Sequence, residues 1–281
     1  MRESTGVTVT DLHIETSGGG PSRRKGRSTA ERSRLPLQRP FKQPRMPYQP
    51  TNVVSDDELE SIHDASMQIL EEIGMDFLDA EARDLLIKAG AMVEPGSERV
   101  RFDREMVTEI IKTAPSEFTL HSRNPEHNLQ IGGTWTAFGS VASAPNVLDL
   151  DRGRRIGNHL DYQNLLKLAQ MLNSVHFLAG YPVEPVDLHA SIRHLDATYD
   201  ALTLTDKPFH AYSLGRQRNI DCLEMVRIGR GVDHETLERE PSIFTVINSS
   251  SPLRLDTPML HGILEYSARN QVIVITPFTL A

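Results

Sequence analysis

Aromatic and carboxylate side chains follow short apolar runs in the second half of the sequence, where buried strands would end. Tyr181, Tyr212 and Phe278 each stand within or just after such a run, and Glu184 comes soon after Tyr181. Aromatic rings attract a tertiary or quaternary ammonium group through cation–π interactions, worth about 0.5 to 2 kcal/mol per ring. These rings could therefore hold an ammonium with Glu184 as its counter-charge, or could equally fill the end of a barrel as packing.

The apolar runs recur at a regular spacing. They cover residues 175–181, 208–214, 243–248 and 272–276, and helical patterns cover 188–204, 219–231 and 257–270. The runs start about 30 to 35 residues apart, the length that a strand and a crossover helix require. They are near-continuous rather than alternating, which is typical of parallel strands buried on both faces. The pattern predicts an α/β fold.

Two architectures use this unit, the (β/α)8 barrel and the open doubly wound sheet. No G-x-G-x-x-G follows a strand, which removes the best sequence evidence for a dinucleotide-binding sheet. Barrel enzymes place their chemistry past the carboxyl ends of the strands, where the polar and aromatic residues fall. We therefore predict a TIM-type barrel. Eight units need roughly 250 residues, so only about the first half is expected here, as a fragment, a paired half-barrel or a small open sheet.

Composition divides the chain into three regions. Residues 1–50 are rich in Gly, Pro and Arg and are predicted to be a disordered basic tail. Residues 51–131 are predicted to form an α+β cap, beginning at the capping box of Ser55 and Glu58. Residues 132–281 would form the partial barrel. In residues 132–140, small residues flank Trp135 and Phe138, which are further candidates for the aromatic mouth.

Charge and cysteine content limit the class of protein. The formal net charge is −8 over 281 residues, so the chain as a whole does not have a nucleic-acid binder's composition. The only cysteine is Cys222, which excludes a disulfide within the chain and is expected to be a buried packing residue. No apolar run is long enough to span a membrane, and no apolar leader follows Met1. We expect a cytoplasmic location.

Common catalytic and metal motifs are missing from the sequence. There is no H-E-x-x-H or C-x-x-C, so no metal site is predicted. The phosphate-binding G-x-x-x-x-G-K-[ST] and the nucleophile elbow G-x-S-x-G do not occur either. Glu184 and Asp187 are the acids just past a predicted strand, and each is more often a charge at a helix N-terminus than a catalyst. No catalytic residue is assigned.

A series of short segments occurs in a fixed order between residues 54 and 281. They are ILEEIG at 69–74, AGA at 89–91, RVR at 99–101, APSEF at 114–118, SRNP at 122–125, PNV at 145–147, DRGRR at 151–155, NSSSPL at 248–253 and ITPFTLA at 275–281. This series resembles the beginning of the trimethylamine methyltransferase family.

The resemblance implies a methyltransferase built on a (β/α)8 barrel of nearly twice this length. Such enzymes move a methyl group from trimethylamine or a betaine to the cobalt of a corrinoid (cobalamin), in one-carbon metabolism and methanogenesis-type methyl transfer. The corrinoid belongs to a separate partner protein, so no tightly bound cofactor is expected here, and self-association is left open. The position where some members carry pyrrolysine lies beyond Ala281 in the family pattern. The amine site is then expected at Tyr181, Glu184, Tyr212, Asn248 and Phe278.

Three other functions remain open from the sequence. The chain could be a truncated non-catalytic fragment that associates with another chain through an open sheet edge. It could be an unrelated barrel lyase or hydrolase that uses Glu184 or Asp187. The basic residues between positions 23 and 45 could bind nucleic acid, which we rank last.

Overall fold

The computed structural model describes residues 37–250 and 253–277, and it is a mixed α/β structure. The helices are α1 (Asp56–Gln68), α2 (Ala80–Lys88), α3 (Arg104–Ile111), α4 (His159–Met171), α5 (Arg193–Leu204), α6 (Arg216–Arg230), α7 (His234–Arg239) and α8 (Thr257–Ser267). The strands are β1 (Met75–Phe77), β2 (Met92–Val93), β3 (Arg99–Arg101), β4 (Glu117–Leu120), β5 (Leu129–Gly132), β6 (Asn146–Asp149), β7 (Gly153–Ile156), β8 (Phe244–Ser249), β9 (Arg254–Leu255) and β10 (Val272–Pro277). In the described ranges, no helix combines the length and the apolarity needed to cross a membrane.

The N-terminal region contains a small sheet of order β2-β3-β1-β9, and helix α2 packs against β1 and β2. The capping box that the sequence predicts is present: Ser55 Oγ accepts from the Glu58 amide at 3.3 Å, and Glu58 Oε2 accepts from the Ser55 amide at 2.8 Å. Strand β9 comes from the far end of the chain and pairs in parallel with β1. Asp76 on β1 forms ion pairs with Arg99 on β3 at 2.6 Å and with Arg254 on β9 at 3.1 Å, and the second pair joins the N-terminal region to the later repeats.

The later repeats place extended segments side by side in parallel and in sequence order. Strands β8 and β10 form a regular parallel ladder. Single parallel bridges join Gly139 to Phe177, Leu178 to Phe209, and His210 to Phe244. The α/β class is therefore confirmed, with the predicted strands at 175–181 and 208–214 present as extended segments with isolated bridges. Within the described residues, this parallel arrangement does not close into a barrel.

Helices cover one face of the parallel segments. Helix α4 packs on α5, α5 on α6 and α6 on α8, so neighbouring helices also follow the sequence order. The main core lies beneath them and includes fully buried Tyr162, Leu166, Leu223 and Tyr266. Cys222 is buried in the same core with its sulfur 3.3 Å from Thr198 Oγ1, as expected of a packing cysteine. Burial raises the pKa of this thiol, which keeps it protonated and unreactive.

Residues 38–46, which we call the strap, run across the structure near the starts of the parallel segments. Gln38 Nε2 donates to the Met171 carbonyl at 2.6 Å, at the C-terminal end of α4. Gln43 is buried and forms a pair of bonds with the Gln130 main chain, at 2.7 and 2.9 Å. Phe41 packs against His127 and His176, with ring centroids 4.4 and 5.3 Å apart. The tail predicted for residues 1–50 therefore overlaps a segment that is anchored by side-chain amides.

Lys207 is a buried cation under the strap. Its Nζ donates to the main-chain oxygens of Ala169, Leu172 and Val175 at 2.7, 2.8 and 2.7 Å. Desolvation lowers the pKa of Lys207 to about 8, although the charge of neighbouring Asp206 acts to raise it. The ammonium is thus still protonated at neutral pH and can donate all three bonds. Two of them satisfy carbonyls at the end of α4 that the helix itself leaves unpaired, and the third goes to Val175 in the following segment.

Replacing Lys207 with methionine should lower the free energy of unfolding by about 3 kcal/mol, because the carbonyl oxygens of Ala169, Leu172 and Val175 would each lose a donor, although that of Leu172 keeps the Val175 amide. Urea denaturation at neutral pH measures this loss. Lys167→Met is the matched control, because Lys167 is an exposed residue of α4, the helix whose end Lys207 contacts. Its effect on the free energy of unfolding should stay within about 0.5 kcal/mol. Equal effects of the two substitutions would contradict the structural role of the ammonium.

Candidate functional site

A cavity of about 310 Å³ lies just past the bridged residues of two neighbouring parallel segments, on the side of their carboxyl ends. It is lined by Ser143, Tyr181, Glu184, Arg193, His210, Tyr212, Ser213 and Leu214. Three of the five residues that the sequence proposes for an amine site, Tyr181, Glu184 and Tyr212, thus line one cavity. Its volume is at the small end of the range for ligand pockets.

None of the other candidates that the structure describes lines this cavity. Asn248 is on β8, where its side-chain oxygen accepts a hydrogen bond from Thr276 Oγ1, and it is not part of the cavity lining. Phe278 lies outside the described residues. Phe138 lines a different cavity, near the strap. The Asp187 carboxylate accepts from the His159 amide at 2.7 Å, so it anchors the start of α4.

Main-chain hydrogen bonds to Ser143 and Ala144 fix the side of the cavity that carries Tyr181 and Glu184. The amide of Ser143 donates to the Tyr181 carbonyl at 2.7 Å, and the Glu184 amide donates to the Ala144 carbonyl at 2.9 Å. Gly157 packs closely against the same wall, because a Cβ there would lie 2.2 Å from a methyl group of Val183. The positions of the two candidate side chains are therefore set by main-chain contacts on both sides.

Opposite charges face each other in the cavity. Arg193, in the first turn of α5, places a guanidinium nitrogen 3.8 Å from Glu184 Oε2, and the two side chains are 23% and 26% exposed. Arg193 also donates to the Leu188 carbonyl at 3.0 Å. A separation of 3.8 Å is longer than a hydrogen bond, so donors of Arg193 and acceptors of Glu184 remain available to a ligand.

Two polar atoms on the cavity residues are shielded from solvent. Tyr181 Oη and His210 Nε2 are buried and have no hydrogen-bond partner among the described residues. Desolvation raises the pKa of Tyr181 and lowers the pKa of His210 to about 4. Both groups are therefore neutral at physiological pH. Buried polar atoms without a protein partner usually meet water or a ligand, so both are candidate contacts for a bound molecule.

The ring of Tyr212 already has a cationic neighbour. The Arg218 guanidinium carbon lies 5.2 Å from its centroid, and Arg218 donates to Tyr212 Oη at 3.2 Å. A ligand ammonium would have to use the other face of this ring or the ring of Tyr181. The cavity lining thus combines one guanidinium, that of Arg193, and one carboxylate, that of Glu184, with its aromatic walls, and Arg218 contacts Tyr212 without lining the cavity. This arrangement differs from a purely aromatic cage.

Sequence reasoning missed His210 and Arg193, although each carries a signal. His210 lies two residues before Tyr212 in an extended segment, so the two share a face. Arg193 is a cation in the first turn of a helix, where the helix dipole disfavours positive charge. The nearby Glu184 carboxylate offsets the unfavourable interaction of this cation with the helix dipole. Among the described residues, no three His, Cys, Asp or Glu side chains are grouped as a metal site would require.

Comparison with known proteins gives one consistent result. The family model described as trimethylamine methyltransferase (MTTB) matches residues 16–281. A glycine betaine methyltransferase from Desulfitobacterium hafniense (strain Y51) is 35% identical over 230 residues, which is 82% of this chain and 47% of that relative. The trimethylamine methyltransferases MttB of Desulfitobacterium hafniense (strain DSM 10664 / DCB-2) and MttB1 of Methanosarcina mazei are 25% and 26% identical, over 72% and 73% of this chain and 40% and 42% of their own lengths. The chain therefore spans less than half of the length of these relatives.

His210 should make the protein less stable in acid. Its folded pKa of about 4 is below the ordinary 6.5, so between these pH values the unfolded chain binds a proton that the folded chain does not. Stability should therefore fall as the pH drops through this window, and His210→Asn should reduce that fall by about 2 to 3 kcal/mol. Urea denaturation between pH 4 and pH 7 measures both curves.

His63→Asn, which removes an exposed imidazole from α1, is the control for losing any histidine. If the free energy of unfolding of His210→Asn falls with decreasing pH as steeply as that of the parent, then His210 is not held neutral in the folded chain.

Proposed function

The chain belongs to the trimethylamine methyltransferase family, and from this premise we propose that its cavity binds a betaine, a quaternary ammonium carboxylate, as the methyl donor. The methyl acceptor would be the cobalt of a corrinoid carried by a separate protein. The observation that carries the proposal is the Glu184–Arg193 pair, whose opposite charges stand 3.8 Å apart in the cavity.

The charges favour a betaine over trimethylamine. A betaine's ammonium would lie near Glu184 and the ring of Tyr181, and its carboxylate near Arg193, which can offer a planar pair of donors. Trimethylamine has no anionic group to match Arg193. The named relatives agree with this preference, since the glycine betaine methyltransferase is 35% identical and the trimethylamine enzymes are 25% and 26% identical.

The size of the cavity supports an acceptor on another protein. A volume of about 310 Å³ suits a small amine and is far too small for a corrin ring. The cobalt of a corrinoid supplies the nucleophile when the partner is bound. This chain's residues would hold the amine with one methyl group directed out of the cavity, so that the acceptor could approach in line with the C–N bond.

The neutral state of Tyr181 and His210 fits this reaction. When a quaternary ammonium gives up a methyl group, the C–N bond breaks and its electron pair stays on nitrogen, so the leaving amine needs no proton. A general acid or base is therefore unnecessary. Tyr181 and His210, both neutral at physiological pH, can act as fixed hydrogen-bonding groups. Their role would be to orient the donor and to exclude water.

We further propose that the parallel segments are the first part of a (β/α)8 barrel. Support comes from their sequential order, in which each new segment adds next to the previous one, and from the longer relatives. Cytoplasmic location and corrinoid dependence belong to the same proposal.

Methyl transfer is tested directly by mass spectrometry of the amine product. Glycine betaine should yield N,N-dimethylglycine only when a reduced corrinoid protein is present, with the chain alone or with the remaining family length supplied as a second polypeptide. Product without a corrinoid, or no product in either arrangement, would contradict the proposal.

Arg193→Gln should weaken glycine betaine binding by about 30- to 100-fold, because a guanidinium–carboxylate pair is lost. Binding of tetramethylammonium, which has no carboxylate, should change by no more than about twofold. Isothermal titration calorimetry measures both ligands. Arg154→Gln is the matched control, since Arg154 is exposed on β7 and should affect neither. Equal weakening of both ligands by Arg193→Gln would show that Arg193 only supports the fold.

A further inference from the structure

A second and larger cavity, of about 720 Å³, lies beneath the strap. It shares no lining residue with the amine cavity. The methyl-transfer proposal gives it no role. We call it the strap cavity.

Aromatic rings form one side of the strap cavity. Phe138 is 54% exposed, and its ring stacks on His176 at 5.8 Å with an interplanar angle of 27°. Phe41 meets the same imidazole edge-on at 5.3 Å. An exposed phenylalanine ring supported from behind by a buried imidazole offers a flat face on which a planar group can stack.

The charges of the strap cavity have one sign. Arg39 and Lys42 are exposed lining residues, and no aspartate or glutamate is among the residues that line it. The buried Lys207 ammonium lies 5.6 Å from the Phe41 ring centroid and offsets the negative end of α4 through its bonds to Ala169 and Leu172. Asp206 lies near Lys207 and opposes its charge, so the positive charge of the lining comes from Arg39 and Lys42, in a chain of net charge −8.

The strap cavity is held open by specific hydrogen bonds. Gln38 and Gln43 anchor the strap on either side of it. Between them, Asn173 Nδ2 donates to the Arg39 carbonyl at 2.8 Å, and His176 Nε2 is 3.3 Å from the Lys42 carbonyl. These contacts fix the main chain that carries Arg39, Phe41 and Lys42, so the aromatic and cationic groups are presented together.

We propose that the strap cavity binds a small planar anion, an aromatic ring that carries a phosphate, sulfonate or carboxylate group. The ring stacks on Phe138, and the anionic group lies between Arg39 and Lys42. The basis is charge and shape complementarity: cations without a matching acid, next to an exposed aromatic face in a cavity of ligand size.

The probe for the test is anilinonaphthalene sulfonate, an aromatic anion whose fluorescence rises on binding, compared with uncharged N-phenylnaphthylamine. Saturable binding of the anion is expected. Phe138→Ala should weaken it by about tenfold. The double variant Arg39→Gln/Lys42→Gln should weaken it by about fivefold and leave the uncharged probe unaffected. Near-UV circular dichroism checks that each variant keeps its fold, and the charge variants involve only exposed side chains.

Ile111→Ala is the matched control, because Ile111 is another exposed apolar residue, on α3, and should leave the affinity unchanged. The proposal is overturned if no saturable binding occurs up to about 1 mM anion. It is also overturned if Ile111→Ala weakens binding as much as Phe138→Ala, or if removing the two charges affects both probes alike.

Discussion

The parallel pairing of Leu178 with Phe209 is the contact on which the rest of the structure depends. Parallel neighbours direct their carboxyl ends the same way, so residues that follow the two segments meet although about 30 positions separate them in sequence. Tyr181 and Glu184 thereby come next to His210 and Tyr212. The same pairing brings Lys207 to the Val175 carbonyl at the other end of the segments. One main-chain register thus positions both the amine cavity and the buried cation beneath the strap.

The two cavities differ in how charge is arranged. In the amine cavity, Glu184 and Arg193 are close but not hydrogen-bonded to each other, so the pair can be divided between the two ends of a zwitterion. In the strap cavity, cations occur without a matching acid among the described residues. Because charge placement favours some ligands mainly by disfavouring others, a simple cation is poorly suited to the strap cavity, and a simple anion would meet Glu184 in the amine cavity.

Local signals in the sequence predicted much of this arrangement. The Ser55–Glu58 capping box and the apolar runs depend on residues close in sequence, and both appear in the structure. The convergence of Tyr181, Glu184 and Tyr212 follows from one rule about strand ends. The strap was not predicted, because Gln43 pairs with a main chain 87 residues away and such a contact leaves no periodic pattern. Arg218 was missed for a similar reason, since its contact with Tyr212 depends on how α6 packs.

The most direct test of the account is to locate the donor's central atom in the protein. Arsenobetaine, in which arsenic replaces the nitrogen of glycine betaine, scatters anomalously and can be soaked into crystals of the chain. The account predicts an arsenic peak in the amine cavity beside Glu184 and the Tyr181 ring, with the carboxylate directed at Arg193. A peak at another site, or none at saturating arsenobetaine, would contradict the assignment of this cavity as the methyl-donor site.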